Sequence, residues 1–499
     1  MFNTNVLEQL LSVFEHFGSR SAFFINETSY SYFELAERVS SIRSCIRSME
    51  IKTPNIGIIT NDDIETYSSI LAIWLEGMAY VPINPSQPYE RNIDIINQAD
   101  ICLVLDSSLV KTFADIDTIM TRSLGRVEIN LVPVNANDSA SAYIMFTSGS
   151  TGKPKGVQIT RGNISSFVDA FWGLGYKIDE NDRCLQPFDL SFDLSVMSYL
   201  IPLLKGSCVF TVPGSQIKYS MIAQILEDHS LTVALMVPSV IRYLRPYFNE
   251  IDLPAMRYSM FCGEALPVDL AKEWSRCVPN AYIDNVYGPT EDTIFCSQYR
   301  YSRSVPNKSH NGILSIGKSM TSGRMIIVND NNLEVPAGEH GELCLAGLQL
   351  TPGYWKNPLK NKESFFVGET GTRFYKTGDL CYKDGEGDIM YVGRIDNQIK
   401  MQGYRIELGE IEHYADDFLA GINPVAIAFE NKDGNTEIAL FLESDSADTA
   451  GLMSFLKLKL PSYMLPSRIL LISKLPLNIN GKIDRKELRR KISETNGRV

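Results

Sequence analysis

Ten residues from Thr147 to Gly156, Thr-Ser-Gly-Ser-Thr-Gly-Lys-Pro-Lys-Gly, concentrate groups that bind anions. Glycines let backbone N–H groups come close to a ligand, hydroxyls donate further hydrogen bonds, and lysines bring positive charge. The chemistry these types suit is the wrapping of a polyphosphate. The pattern is not a Walker A loop, whose first glycine is separated by four residues from Gly-Lys-Ser/Thr. By composition alone, the same stretch also describes a flexible surface loop.

Further clusters lie downstream. Met260-Phe-Cys-Gly-Glu264 reads as a strand ending in Gly-Glu, and Asn285-Val-Tyr-Gly-Pro-Thr-Glu291 as a strand running into a Gly-Pro turn. Both open at the carboxyl edge of a sheet, where α/β folds bind ligands. Tyr287 offers a flat face for a base, and Glu291 a hard oxygen for Mg²⁺, which ATP chemistry needs. A plain turn with a solvated acid is the alternative. Lys376-Thr-Gly-Asp379 places a carboxylate after a turn, able to accept both hydroxyls of a ribose. Arg394 and Lys400, in Gly393 to Lys400, add cations close by in sequence. Both segments also suit ordinary surface charge. In Asn480-Gly-Lys-Ile-Asp-Arg485, the Asn-Gly pair predicts a turn that would hold Lys482 out from the body. There it can stabilise charge developing on a phosphoryl or carboxylate oxygen; a basic helix start is the alternative.

The elements that must carry these groups follow from periodicity. Tyr143 to Phe146 is an apolar strand entering the loop, and Ile164 to Leu174 a helix after it. Tyr30 to Leu35 opens a helix with a capping serine and Glu34 three residues later. Asn55 to Thr60 and Ile101 to Asp106 are short strands, with a helix at Leu71 to Glu76 and a strand in Gly77 to Pro85 between them. Strand and helix alternate to about residue 290, the signature of largely parallel α/β sheets. From about 310 to 395 short β-prone runs rich in glycine predict a smaller β-rich subdomain. After the polar connection Ile395-Asp396-Asn397-Gln398 the pattern is helix, strand, strand, helix, strand, a small α+β domain with its own core. The expected division is residues 1–395, an N-terminal core of two α/β subdomains plus the β-rich one, and residues 396–499, a mobile C-terminal lid. No repeat or low-complexity segment interrupts the chain.

At 499 residues the chain exceeds one ordinary core. Its 44% apolar and 21% charged content is that of a soluble globular protein. A net charge of −12 argues against nucleic acid or an anionic membrane as main partner, so a polyphosphate would need a local positive site or a metal. There is no signal-peptide pattern and no apolar run long enough to span a bilayer. Nine scattered cysteines without a C-x-x-C pair suit a reducing cytoplasm, not a disulfide or zinc framework.

Taken together, these motifs resemble the adenylate-forming superfamily, in particular the adenylation domains of nonribosomal peptide synthesis. Tyr30 to Leu35, Leu75 to Pro82, Thr147 to Gly156, Phe192 to Ser195, Asn285 to Glu291, Gly341 to Gly347, Tyr375 to Leu380, Gly393 to Glu412, Leu460 to Pro466 and Asn480 to Arg485 match that family's core motifs in order and spacing. Phe192 to Met197, Phe261 to Glu264 and Gln398 to Arg405 bring the likeness nearest to stand-alone amino-acid:carrier-protein ligases. Two positions depart from the pattern: Arg161-Gly-Asn163 replaces His-x-Asn, and Asn84 replaces Asp.

The resemblance implies roles. Thr147, Ser148, Gly149, Ser150, Thr151, Gly152, Lys153 and Lys155 would hold the β- and γ-phosphates of ATP. Gly263, Glu264 and Tyr287 would border the adenine, and Ala265, Asn285 and Gly288 would also belong to the ATP site. Thr290 would meet the α-phosphate, Glu291 the Mg²⁺, and Asp379 and Arg394 the ribose. Lys482 would bridge ATP and the substrate carboxylate. A rotation about Asp396 would then present the Gly403 loop for attack by a thiol, a hinge motion.

The substrate pocket would be lined by Asp193, Leu194, Met197, Leu235, Met260, Cys262, Val286, Ile294 and Phe295. Asp193 would pair the α-ammonium of an amino acid, since a buried charge must be paired. The rest offer no strong polar partner, so the side chain should be apolar and small. The expectation is a ligase that adenylates a small apolar amino acid and transfers it to the phosphopantetheine thiol of a separate carrier protein, because no carrier-domain serine motif is present. An aminobenzoate-type aryl-acid ligase, or an acyl-CoA synthetase of the same fold, is the alternative. A nucleotide-binding scaffold without catalysis is a third reading, opposed by the presence of Lys482, Glu291 and Asp379.

Overall fold

The computed structural model describes the chain apart from residues 150–151, 214–217, 322, 420, 433, 478–482 and 497–499, and apart from the side chains of residues 493–496. Its backbone contacts group into two units. The first comprises Met1–Pro85, Ile96–Phe146 and Gly156–Ile395; the second comprises Ser86–Ile95, Thr147–Lys155 and Asp396–Val499.

In the first unit, a nine-stranded sheet runs Lys318–Ser319, Ser297–Arg300, Tyr282–Tyr287, Tyr258–Phe261, Val233–Met236, Arg183–Gln186, Cys208–Thr211, Ser21–Ile25, Thr28–Ser31. Its central pairs are parallel and its edge pairs antiparallel. A seven-stranded sheet includes Ser141–Thr147, Ala79–Ile83, Asn55–Ile59 and Leu103–Asp106, again largely parallel. Strands buried on both faces read as continuous apolar runs, which is why these were visible in the sequence. Helix Leu194–Leu203 is buried along its whole length. It packs on the first sheet, and its Tyr199 hydroxyl lies 3.2 Å from that of Tyr80 in the second. The expected capping box is formed: Ser31 accepts from the Glu34 N–H, and the Glu34 carboxylate accepts from the Ser31 N–H at 2.8 Å. The β-rich part is a five-stranded antiparallel sheet built around Arg373–Lys383.

In sequence, Asp379 reads as a residue after a turn. It lies instead within the strand Arg373–Lys383. A bulge opposite Leu343 carries Thr377, Gly378 and Asp379, with Gly378 at φ +71°. Thr377 donates to the Leu343 carbonyl, so the extra residues keep their hydrogen bonds without ending the strand.

In the second unit, strands Pro424–Glu430, Thr436–Glu443 and Arg468–Ile472 form a sheet. Helices Leu408–Leu419 and Thr449–Lys459 bury Ile411, Ala415, Leu452 and Leu456 beside Ala426, Ile438 and Leu440. The polar connection after Ile395 runs straight into a hairpin that periodicity did not predict, Gln398–Met401 with Tyr404–Glu407. Its two-residue turn is Gln402-Gly403, both with positive φ, the geometry that matches strand twist. Gly403, the expected thiolation loop, is the tip of this hairpin.

Candidate active site

Asp193 sits at the start of helix Leu194–Leu203, yet its carboxylate does not cap that helix. It accepts the main-chain N–H of Ile294 at 3.1 Å and a hydrogen bond from the Thr290 side chain. Burial pushes its carboxyl up to about 7; the Ile294 N–H holds it down, and nearby Glu291 raises it further. The other expected pocket residues, Leu194, Met197, Leu235, Met260, Cys262, Val286, Ile294 and Phe295, are all buried in one apolar cluster. Leu235, Met260 and Val286 lie on adjacent parallel strands, with Leu235 and Met260 in register. Three strands therefore deliver side chains to one place near their carboxyl ends, as α/β folds do.

Tyr287, at the end of the strand Tyr282–Tyr287, donates its phenol to Asp379 Oδ2 at 2.5 Å. Arg394 donates to Asp379 Oδ1 at 2.8 Å and to the Thr377 carbonyl at 2.9 Å. The bulge in the strand aims the carboxylate at both partners. Desolvation, then the charge of Asp379, raises the Tyr287 phenol well above its usual range, so it stays a donor. On or just past the adjacent strands Tyr258–Phe261 and Tyr282–Tyr287, Glu264 accepts the Ser239 N–H at 2.8 Å, and Asn285 donates to the Ser315 carbonyl at 2.9 Å. Gly263 takes φ +87°, and Ala265 follows directly on Glu264. A Cβ on Gly288 would stand 2.3 Å from the Phe295 Cα, so only glycine fits there.

Glu291 is fully buried, which rules out the solvated-acid alternative. Tyr354, a partner that no local pattern announces, donates to its Oε1 at 2.6 Å. Among the described residues no group of three metal-ligating side chains exists. One fixed carboxylate suits Mg²⁺, which takes one or two protein oxygens and fills its octahedron from phosphates and water.

The second unit holds the glycine loop. Ser148 donates to the Arg405 carbonyl at 2.8 Å, and Gly149 N–H donates to Glu410 Oε2 at 3.2 Å. Lys155 pairs with Glu407 at 3.2 Å, and Tyr414 donates to the Gly152 carbonyl at 2.7 Å. Glu410 is also paired with buried Arg91 at 2.5 Å. These contacts explain why Ser86–Ile95 and Thr147–Lys155, expected in the first domain, group with the second unit. Lys153 is exposed. Ser150, Thr151 and Lys482 lie outside the described residues. Asp396 is the first residue of the long C-terminal segment of this unit.

The family model of AMP-binding enzymes matches residues 12–355. Across 95% of its length the chain is 30% identical to the D-alanine–D-alanyl carrier protein ligase of Bacillus licheniformis, covering 96% of it. It is 32% identical to tyrocidine synthase 3 of Brevibacillus parabrevis over 92% of this chain, and 30% identical to tyrocidine synthase 1 of the same organism over 95%. It spans only 7% and 44% of those two proteins' lengths. Among solved structures it is similar to the Vibrio cholerae adenylation domain AlmE in complex with glycyl-adenosine-5′-phosphate, with a TM-score of 0.87, 26% identity, and 98% of this chain and 97% of that one covered. A strand-borne glycine loop, a buried Glu291 and an Asp379–Arg394 pair beside Tyr287 are thus joined to a match over most of the sequence, and the chain belongs to the AMP-binding enzymes, the superfamily of adenylate-forming ligases.

Proposed function

We propose that the protein activates a small apolar α-amino acid with ATP and passes it to the phosphopantetheine thiol of a separate carrier protein. The observation that carries this reading is Asp193: a buried carboxylate held by one N–H and one hydroxyl. A buried carboxylate is costly without a cation, and the α-ammonium group supplies one. The apolar remainder of the cluster disfavours a polar side chain, which would lose its water without gaining a partner. The AlmE structure contains a glycyl adenylate, and the Bacillus licheniformis relative is a D-alanine ligase, which supports a small amino acid here.

In the first half-reaction a substrate carboxylate oxygen attacks the α-phosphorus of ATP, and the bond to pyrophosphate breaks. In the second, a thiol sulfur attacks the acyl carbon, AMP leaves, and the thiol proton goes to solvent. Asp379 and Arg394 would orient the ribose, with Tyr287 holding Asp379 through its phenol while its ring borders the base beside Gly263 and Glu264; Ala265, Asn285 and Gly288 would complete the ATP site; Thr290 would meet the α-phosphate. The glycine loop, with Lys153 and Lys155, is the segment whose chemistry suits the β- and γ-phosphates. Glu291 would hold Mg²⁺, which neutralises phosphate charge when bound. Lys482 would bridge the two substrates.

Pyrophosphate exchange into ATP, measured across all amino acids in both enantiomers plus simple aminobenzoates, tests the reading. Exchange with alanine-to-valine-sized amino acids supports it. Preference for aspartate, lysine or arginine contradicts the pocket, preference for an aminobenzoate moves the protein to the aryl-acid ligases, and exchange with no acid contradicts the activity.

A further inference from the structure

The hydrogen bond from Ile294 to Asp193 depends on an unusual stretch of backbone. Thr293 has φ +52° and Ile294 φ +73°. Consecutive left-handed residues without glycine are rare, and a β-branched side chain there is strained. The chain does not adopt this shape by local preference, so something must hold it.

What holds it is Gln349, from the segment after strand Gly341–Gly347, only 1% exposed. Its side-chain nitrogen stands 2.9 Å from the Phe295 carbonyl and 3.3 Å from those of Asp292 and Thr293. Its own main-chain carbonyl accepts the Thr293 hydroxyl at 2.5 Å. Two residues on, Thr351 N–H donates to the Glu291 carbonyl at 2.9 Å. The far side of this segment is fixed as well. Asn163 donates to the carbonyls of Leu348 and Leu350, at 2.8 and 3.0 Å, while its oxygen closes a capping box with Thr160. Three carbonyl oxygens converging on one point repel one another unless a donor sits among them. A primary amide has the protons to share; a hydrocarbon has none, and a carboxylate would add repulsion.

We propose that Gln349 is a positioning residue for recognition of the substrate's amino group. It locks the turn from Thr290 to Phe295 in the one shape that points the Ile294 N–H at Asp193, and so fixes the carboxylate for the α-ammonium. The inference rests on the proposed amino-acid activation. It predicts a selective defect: loss of Gln349 weakens recognition of the amino group and leaves recognition of ATP and of the carboxylate alone.

The test is pyrophosphate exchange by the whole protein with alanine and valine, compared with their desamino counterparts propanoate and 3-methylbutanoate. For Gln349→Met we expect KM for the amino acids to rise roughly ten- to a hundredfold, the scale of a lost hydrogen bond to a charged group. KM for ATP should stay within about twofold, and kcat/KM for the desamino acids should be unchanged. Gln349→Lys, which returns N–H donors to the three carbonyls, should recover most of the loss. If Gln349→Met fails to fold by thermal denaturation, Thr293→Val, which removes only the hydroxyl tie, carries the same test with a smaller effect in the same direction. Equal losses with amino and desamino acids, a raised KM for ATP, or no rescue by lysine would overturn the proposal. Wild-type protein that uses desamino acids but no amino acid would overturn both this inference and the activity it rests on.

Discussion

The Tyr287 phenol and the Asp379 carboxylate are joined at 2.5 Å, across two sheets of the first unit and 92 residues of sequence. With Arg394 on the other carboxylate oxygen, Asp379 is fixed from both sides. If this carboxylate binds ribose, Tyr287→Phe should raise KM for ATP about two- to tenfold by releasing one side, with little effect on KM for the amino acid. Asp379→Asn should do more, since it weakens both the pair with Arg394 and acceptance of the hydroxyls. Exchange rates at varied ATP check both variants; a change confined to the amino-acid KM would count against the ribose assignment.

The Asp193 carboxyl stands near 7 because burial outweighs its two donors. To receive an ammonium it must be ionised. At acid pH the empty pocket holds a proton that binding must release. KM for the amino acid should therefore rise as pH falls below about 7, by about tenfold per pH unit, and level off above it. KM for a desamino acid should lack this slope. Exchange assays from pH 5.5 to 8.5, roughly spanning that pKa, separate the two profiles.

Arg91 and Glu410, both buried, form a pair inside the second unit, and Glu410 also takes the Gly149 N–H. Breaking such a pair leaves one charge buried alone. Arg91→Met should cost about 3–5 kcal/mol of stability, while Arg91→Met combined with Glu410→Leu should recover much of it. Denaturant unfolding of the single and double variants measures the difference. Equal destabilisation by both would mean that the pair itself, not the stranded charge, carries the stability.

Lys482 is assigned by resemblance. Lys482→Ala should slow adenylate formation by about 10²–10³ or more, the scale of one preorganised charge stabiliser. Transfer from a supplied aminoacyl adenylate to a carrier should persist. Single-turnover measurement of each half-reaction decides this, and equal losses in both would contradict a role specific to adenylation.

Much of the frame was legible because it depends on local signals. The strand Ser141–Thr147 and the helix capped by Ser31 follow from apolar runs and from one serine–glutamate spacing. What escaped depends on partners distant in sequence, or on backbone that residue types disfavour. Thr293 and Ile294 carry no hint of positive φ, because neither residue type prefers it and the force that imposes it comes from Gln349. Tyr354 reaches Glu291 from 63 residues away. The bulge at Asp379 looks like a turn in sequence, since glycine and aspartate serve both. The hairpin tip Gln402-Gly403 lies just past the polar connection Ile395 to Gln398, in strands of only four residues, too short for periodicity to mark. Grouping of the glycine loop with the second unit follows from Glu407 and Glu410, which the sequence presents as ordinary acidic positions of a helix start.

Most direct is pyrophosphate exchange by Asp193→Ala, with valine and 3-methylbutanoate as paired substrates. Exchange with valine should be lost, by about a hundredfold or more for a buried charge pair, while exchange with 3-methylbutanoate should equal or exceed that of the wild type. Undiminished exchange with valine would contradict the claim that this carboxylate recognises the amino group of the substrate.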